Sequence, residues 1–165
     1  MKKIFSQNEW HELKARVTAW KKAGQELVFT NGCFDILHDG HIALLKFARN
    51  QSGKTVVGLN SDQSVSRLKG SDRPVNTECV RAKKLLETSY IDAVVIYGED
   101  TPQAITDFLE PDILIKGDDY RFETTIGAPE VTARGGRVLF FKRIPGISTT
   151  GLLNRTDKKN ETNYS

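Results

Sequence analysis

His38 and His41 stand three residues apart with Gly40 between them, at the end of the run Thr30, Asn31, Gly32, Cys33, Phe34, Asp35, Ile36, Leu37, His38, Asp39, Gly40, His41. The run begins where a short apolar stretch ends and leads into a segment with helical spacing. That places His41 in the first turn of a helix and His38 in the loop just before it. A helix start offers backbone N–H groups and a partial positive charge to phosphate. Gly40 lets the backbone approach a ligand closely. Two imidazoles converging on one anion can donate hydrogen bonds to phosphoryl oxygens and stabilise charge as it develops. A metal site is the rival reading of the same pair. It needs a further His, Cys or carboxylate ligand; Cys33 and Asp35 are near, but no zinc-type spacing appears elsewhere in the chain.

Three further clusters carry charge or hydroxyls. Arg143 precedes Gly146, Ile147, Ser148, Thr149 and Thr150, where Ser148 can cap a short helix and the hydroxyls can form a second anion nest. Arg67, Lys69 and Arg73 with Gly70 read as a basic loop, either a solvated surface or a mobile clamp whose Lys69 meets phosphate. Lys116, Gly117, Asp118, Asp119 and Tyr120 follow an apolar run; the paired carboxylates suit a metal, a ribose or a base, and residue type alone leaves these three open. Ser52-Gly53-Lys54-Thr55 is a decoy, because Ala48 stands where a P-loop needs its first glycine and the segment leads into a strand. No Gly-x-Gly-x-x-Gly follows any strand, which removes support for a classical dinucleotide fold.

These residues need a scaffold. Five apolar runs, 27–30, 55–59, 93–97, 113–116 and 138–142, are near-continuously apolar, as parallel strands buried on both faces are. Helical candidates at 41–50, 77–89 and 102–109 alternate with them, and 126–134 is less regular. Ser6 and Glu9 have the spacing of a capping box ahead of a helix carrying Trp10, Leu13, Val17 and Trp20, with Gly24 as its stop. The pattern predicts an α/β fold: an open, parallel, Rossmann-like sheet of five strands with helices on both faces. With 165 residues the chain fits one domain, taken as 1–153 with its first 25 residues packed on as a helix, followed by a polar tail at 154–165.

Composition excludes several function classes. A net charge of +3 is too small to argue for nucleic-acid binding. No run approaches the ~20 apolar residues of a membrane span, and Met1 to Phe5 lacks the apolar core of a signal peptide. Cys33 and Cys79 therefore read as reduced thiols in a cytoplasmic protein.

Taken together, the histidine run and the Ser148-Thr149-Thr150 run, at opposite ends of an α/β domain, resemble the cytidylyltransferase-like nucleotidylyltransferase superfamily. Within it the text is most similar to the adenylyltransferases of bacterial ADP-heptose synthesis. Shared stretches are 28–38, 59–62, 67–70, 73–76 and 99–102, and the likeness covers about residues 6–153. The resemblance implies transfer of AMP from ATP to D-glycero-β-D-manno-heptose 1-phosphate, with release of pyrophosphate. It implies that Cys33, Phe34, His38, Gly40 and His41 hold the triphosphate, that Arg143 and Gly146 to Thr150 hold its phosphates from the other side, and that Lys116 and Asp118 lie near base and ribose. Asp35, Lys69 and Arg81 would meet the phosphosugar, and His38, His41, Lys69 and Arg143 would be catalytic. It further implies Mg2+ carried on the nucleotide phosphates rather than in a protein metal site, a homodimer, and a separate sugar kinase upstream. Asp39 and Asp118 stand where the heptose enzymes more often carry Ala and Gly. The Gly117-Asp118-Asp119 and Gly146-to-Thr150 stretches look more like glycerol-3-phosphate cytidylyltransferase, so ATP and CTP both stay open as donors. From another class, a non-catalytic nucleotide-binding regulatory module would keep the fold while tolerating loss of the charged groups.

Overall fold

The computed structural model describes residues 1–142; the expectations for Arg143, Gly146, Ile147, Ser148, Thr149, Thr150 and the tail lie outside the described residues. In chain order the elements are β1 (Ile4–Phe5), α1 (Trp10–Lys22), β2 (Leu27–Gly32), α2 (Asp39–Arg49), β3 (Lys54–Asn60), α3 (Asp62–Lys69), α4 (Glu78–Glu87), β4 (Ala93–Tyr97), α5 (Gln103–Leu109), β5 (Ile113–Gly117), α6 (Ala128–Ala133) and β6 (Arg137–Phe141). The sheet is parallel throughout, in the order β1-β4-β3-β2-β5-β6. It has six strands rather than the five expected. The extra one is β1, whose Ile4 and Phe5 pair with Val94 and Val95; two residues carry no readable period.

Alternation along each strand divides the core into two layers. Leu27 and Phe29 of β2 pack with Leu13 and Val17 of α1, Ile105 and Leu109 of α5 and Val131 of α6. Val28, between them, faces the other way and joins Phe47 and Ala48 of α2. Alongside it, Val57, Leu59 and Val94 pack with Ala82 and Leu85 of α4. Gly58 is required where β3 crosses Phe29, because an added Cβ would lie 2.6 Å from Phe29 Cζ. The first helix starts as expected: Glu9 accepts from the Ser6 N–H at 2.9 Å, and Gly24, at φ 84°, ends it.

Two segments depart from the sequence reading. Arg67, Leu68 and Lys69 are the last turn of α3, not a loop. The helix is capped by Ser61, whose hydroxyl accepts from the Ser64 N–H at 3.2 Å. The less regular stretch at 126–134 contains α6.

Strand order reverses between β2 and β5. β2 runs on to β3 on one side, while β5 leads to β6 on the other. The two connections leave on opposite faces, so a crevice opens at the carboxyl ends of β2 and β5, where open α/β sheets bind ligands.

Candidate active site

A cavity of about 920 Å³ lies over that crevice. Its walls come from the end of β2 (Thr30 to Ile36), the start of α2 (His38, Gly40, His41), the ends of β3 and β4 (Asn60, Tyr97), the end of α3 (Leu68, Lys69) and the turn after β5 (Lys116 to Tyr120).

Phe34 sets the geometry at the β2 exit. It adopts φ 45°, a left-handed conformation unusual for a bulky residue, and its buried ring meets His41 edge-on at 5.0 Å. The chain then turns into α2 through a reciprocal cap. His38 is the N-cap residue, and its Nδ1 accepts from the N–H groups of Gly40 (3.1 Å) and His41 (3.4 Å). In return, His41 Nδ1 accepts from the His38 N–H at 3.3 Å. The rings stack with centroids 3.6 Å apart and planes 18° from parallel. With each Nδ1 accepting, Nε2 is the nitrogen that carries the ring's hydrogen. The first amides of α2 are thus bonded to a side chain, and the imidazole Nε2–H groups become the donors the motif presents. The helix start expected to meet phosphate is thus capped from within rather than bare.

Asp35 and Arg81 line up differently from expectation. Asp35 lines the cavity, but its carboxylate accepts from Arg73 Nε at 2.7 Å and from the Val75 and Asn76 N–H groups at 2.9 Å. Burial works to raise its carboxyl, yet the bonds from Asn76, Val75 and Arg73 prevail and hold it at about 2. Its work is to pin residues 73–76, and with Ser66 Oγ bonded to the Arg73 carbonyl that segment is anchored rather than a free clamp. Arg81 is buried outside the cavity lining. Its guanidinium donates to the carbonyls of Cys33 and Asn60 at 2.8 Å, to Asn76 O at 2.9 Å and to Asp62 Oδ1 at 2.7 Å. With those bonds Arg81 ties the ends of β2 and β3 to α3 and α4, and it stands outside the cavity lining where a phosphosugar contact is expected.

The remaining expected residues do share the cavity. Lys69, Lys116, Asp118, Cys33, Phe34 and Gly40 all line it. Burial pushes the Cys33 thiol up, which disfavours a reactive thiolate. Lys116 is 5% exposed; burial lowers its ammonium to about 8, partly offset by Asp119. It donates to Asn31 Oδ1 and lies 5.3 Å from the Tyr120 ring centroid. A Cβ on Gly117 would come within 2.8 Å of Asp119 Oδ1, so a side chain there would displace the Asp119 carboxylate. Among the described residues no group of three or more His, Cys, Asp or Glu side chains is placed to hold a metal ion. Asn31, Asn60, Tyr97, Asp100 and Thr101 also line the cavity with no role assigned from sequence, although all but Tyr97 fall in stretches that carry the family resemblance.

Comparison with known proteins fits this geometry. Residues 29–155 match the family described as cytidylyltransferase-like. Bifunctional protein HldE of Mesorhizobium japonicum is 52% identical over 139 residues, covering 84% of this chain and 28% of that protein. Its counterpart in Nitrobacter hamburgensis is 47% identical over 144 residues, covering 87% and 29%. The chain thus spans less than a third of the length of these curated relatives. Among solved structures, a lipopolysaccharide core biosynthesis protein from Thermoplasma volcanium is 27% identical with a TM-score of 0.59, covering 76% of this chain and all of that one. A pantothenate synthetase from Thermus thermophilus, at 15% identity, a TM-score of 0.60 and coverage of 99% and 72%, shares the fold. With its paired imidazoles at the switch-point crevice and its match over most of its length, the chain belongs to the cytidylyltransferase-like family of nucleotidyltransferases.

Proposed function

We propose that the chain is an adenylyltransferase that transfers AMP from ATP to D-glycero-β-D-manno-heptose 1-phosphate, for lipopolysaccharide or surface-glycan precursor synthesis. The observation that carries the proposal is the convergence of His38, His41, Lys69 and Lys116 on one cavity at the crevice. A phosphate oxygen of the sugar phosphate attacks the α-phosphorus in line. One P–O bond forms, the α–β bridging P–O bond breaks, and pyrophosphate leaves with the bonding pair. A phosphate monoester has a second pKa of about 6, so the nucleophile is already a dianion and no protein base is required. The obstacle is the meeting of two polyanions. The Nε2–H groups of the capped imidazoles donate to oxygens of the reacting phosphate, while Lys69 and Lys116 supply fixed positive charge.

Magnesium is the proposed counterion. It would be carried on the nucleotide phosphates and would need few ligands from the protein. When bound it neutralises the β- and γ-phosphates. The proposal also takes 1–153 as the transferase domain with 154–165 as a tail, a cytoplasmic location, a homodimer, and a separate kinase that makes the sugar phosphate.

The test is pyrophosphate release from ATP and CTP, each with heptose 1-phosphate and with glycerol 3-phosphate. Release with ATP and the heptose phosphate alone is expected. Release with CTP and glycerol 3-phosphate would move the assignment to a cytidylyltransferase, and no release from any pair would make the chain a nucleotide-binding module.

A further inference from the structure

Five polar side chains are linked donor to acceptor, starting at the crevice. Lys116 of β5 donates to Asn31 Oδ1 of β2. Asn31 Nδ2 donates to Tyr97 Oη of β4 at 3.1 Å, and Tyr97 Oη donates to Asn60 Oδ1 of β3 at 2.9 Å. Asn60 Nδ2 donates to Ser64 Oγ of α3 at 2.9 Å, and Ser64 Oγ donates to the Glu99 carbonyl at 3.1 Å. Each acceptor is also the next donor, so the run has one consistent orientation and its bonds polarise one another. Its fixed end is a backbone carbonyl. Its other end is an ammonium ion in the cavity.

The chemistry of that end calls for an anion. An ammonium has three donors, and one is directed to Asn31. A buried cation with one neutral acceptor is poorly compensated. Asp119 and Tyr120 face it from its own strand's turn and Asn31 from β2, while Cys33 and Tyr97 line the same cavity. Thr30, also in the cavity lining, has a buried Oγ1 with no hydrogen-bond partner among the described residues. Among the described residues the hydrogen bond from the Lys116 ammonium goes to Asn31, which leaves donors that a ligand oxygen can take.

We propose that the run Ser64–Asn60–Tyr97–Asn31 is a positioning relay that aims the Lys116 ammonium at an anionic oxygen of the bound nucleotide, a role that rests on the nucleotidyltransfer reading above. Tyr97, Asn60 and Ser64 act through Asn31. Without the Tyr97 hydroxyl the Asn31 amide loses the partner that sets its orientation, and Lys116 loses a fixed acceptor.

The test is a double-mutant cycle on the full chain, with ATP affinity read by titration calorimetry. Tyr97→Phe is expected to weaken ATP about 10-fold in the parent and less than 2-fold in Lys116→Met, because the relay has nothing left to aim. Ser64→Ala, at the far end and outside the cavity lining, shifts affinity a few-fold in the same direction if Tyr97→Phe fails to fold. Val131→Ala, a remote core truncation, leaves affinity unchanged. NMR titration of the Lys116 ammonium in the ligand-free protein gives a second readout, with its midpoint moved in Tyr97→Phe and not in Val131→Ala. Equal losses from Tyr97→Phe in both backgrounds, or an unmoved Lys116 midpoint, overturn the relay. Absence of ATP binding by the parent chain overturns the nucleotide reading instead, and the Lys116 titration then decides the positioning by itself.

Discussion

Replacing Lys116 by methionine is expected to stabilise the ligand-free protein while weakening its hold on the nucleotide. Burial lowers this ammonium from 10.5 to about 8. A drop of that size corresponds to about 3 kcal/mol disfavouring the folded state. The folded chain binds the Lys116 proton less tightly than the unfolded chain does. The penalty is therefore complete below pH about 8 and fades as pH rises towards 10.5, where the amine is neutral in the folded state. Methionine removes the charge at similar length but leaves Asn31 Oδ1 without its donor, which returns about 1 kcal/mol. The net gain at pH 7 is about 2 kcal/mol, equivalent to about 4–8 °C in Tm for a chain of this size. Urea unfolding at pH 7 and pH 10.5 measures it: the gain is present at the first pH and gone or reversed at the second. In the same variant the nucleotide loses a charge-assisted bond, and ATP affinity drops ~10-fold or more. A Lys116→Met protein no more stable than its parent at pH 7, or one equally stabilised at both pH values, would refute the reasoning.

Other substitutions separate scaffold from chemistry. His38→Ala removes the cap of α2 and the Nε2–H donor together, lowering Tm by about 2–4 °C and pyrophosphate release ~10²-fold. His38→Asn restores the Tm but not the rate, and a restored rate would reduce the imidazole to a cap. Because the Asp35 carboxyl is held at about 2, the stability it confers is full above pH about 4 and lost as pH falls towards 2. Asp35→Asn should flatten that acid limb in urea titrations, and an unchanged limb would show that the carboxylate bonds contribute nothing. Arg81→Met costs about 3–5 kcal/mol by leaving Asp62 and three carbonyls without their donor; at low temperature, its folded fraction keeps the parent's KM for the sugar phosphate. Gly117→Ala drives the Asp119 carboxylate from its place and raises KM for ATP several-fold with Tm little changed, a split visible in steady-state kinetics.

The elements that sequence reading recovered were those whose burial is written into local periodicity. All five apolar runs became strands, and the helix ahead of them begins at the Ser6–Glu9 cap. β1 escaped because its pairing partner lies about ninety residues away, on β4, and two residues cannot show a period. α3 escaped because Arg67, Lys69 and Gly70 read as a loop, although Ser61 and Asp62 are a proper helix start. The histidine pair was legible because its spacing is local, three residues within one turn. Its reciprocal cap was not, since histidine is a rare N-cap and nothing in the residue type shows which nitrogen accepts. Tyr97, Asn60 and Asn31 were invisible as a set, because they come from three strands and meet only through sheet order.

Arg81 and Lys116 show that residue type alone does not sort buried cations. Both are basic and nearly inaccessible, and both were expected to meet ligand. Arginine's planar fork finds four protein acceptors around Arg81, three of them carbonyls at the ends of secondary structure. A cation so compensated has no reason to recruit an anion, and moving it would leave those acceptors unpaired. Among the described residues Lys116 has a single neutral acceptor, and it has a lowered ammonium and a wall of the cavity. Burying a charge so incompletely lowers the stability of the empty protein, and a bound anion recovers that loss as affinity. The count of acceptors around a buried cation, which depends on contacts between distant strands, therefore distinguishes a fastening from a binding group where the sequence shows only two positive charges.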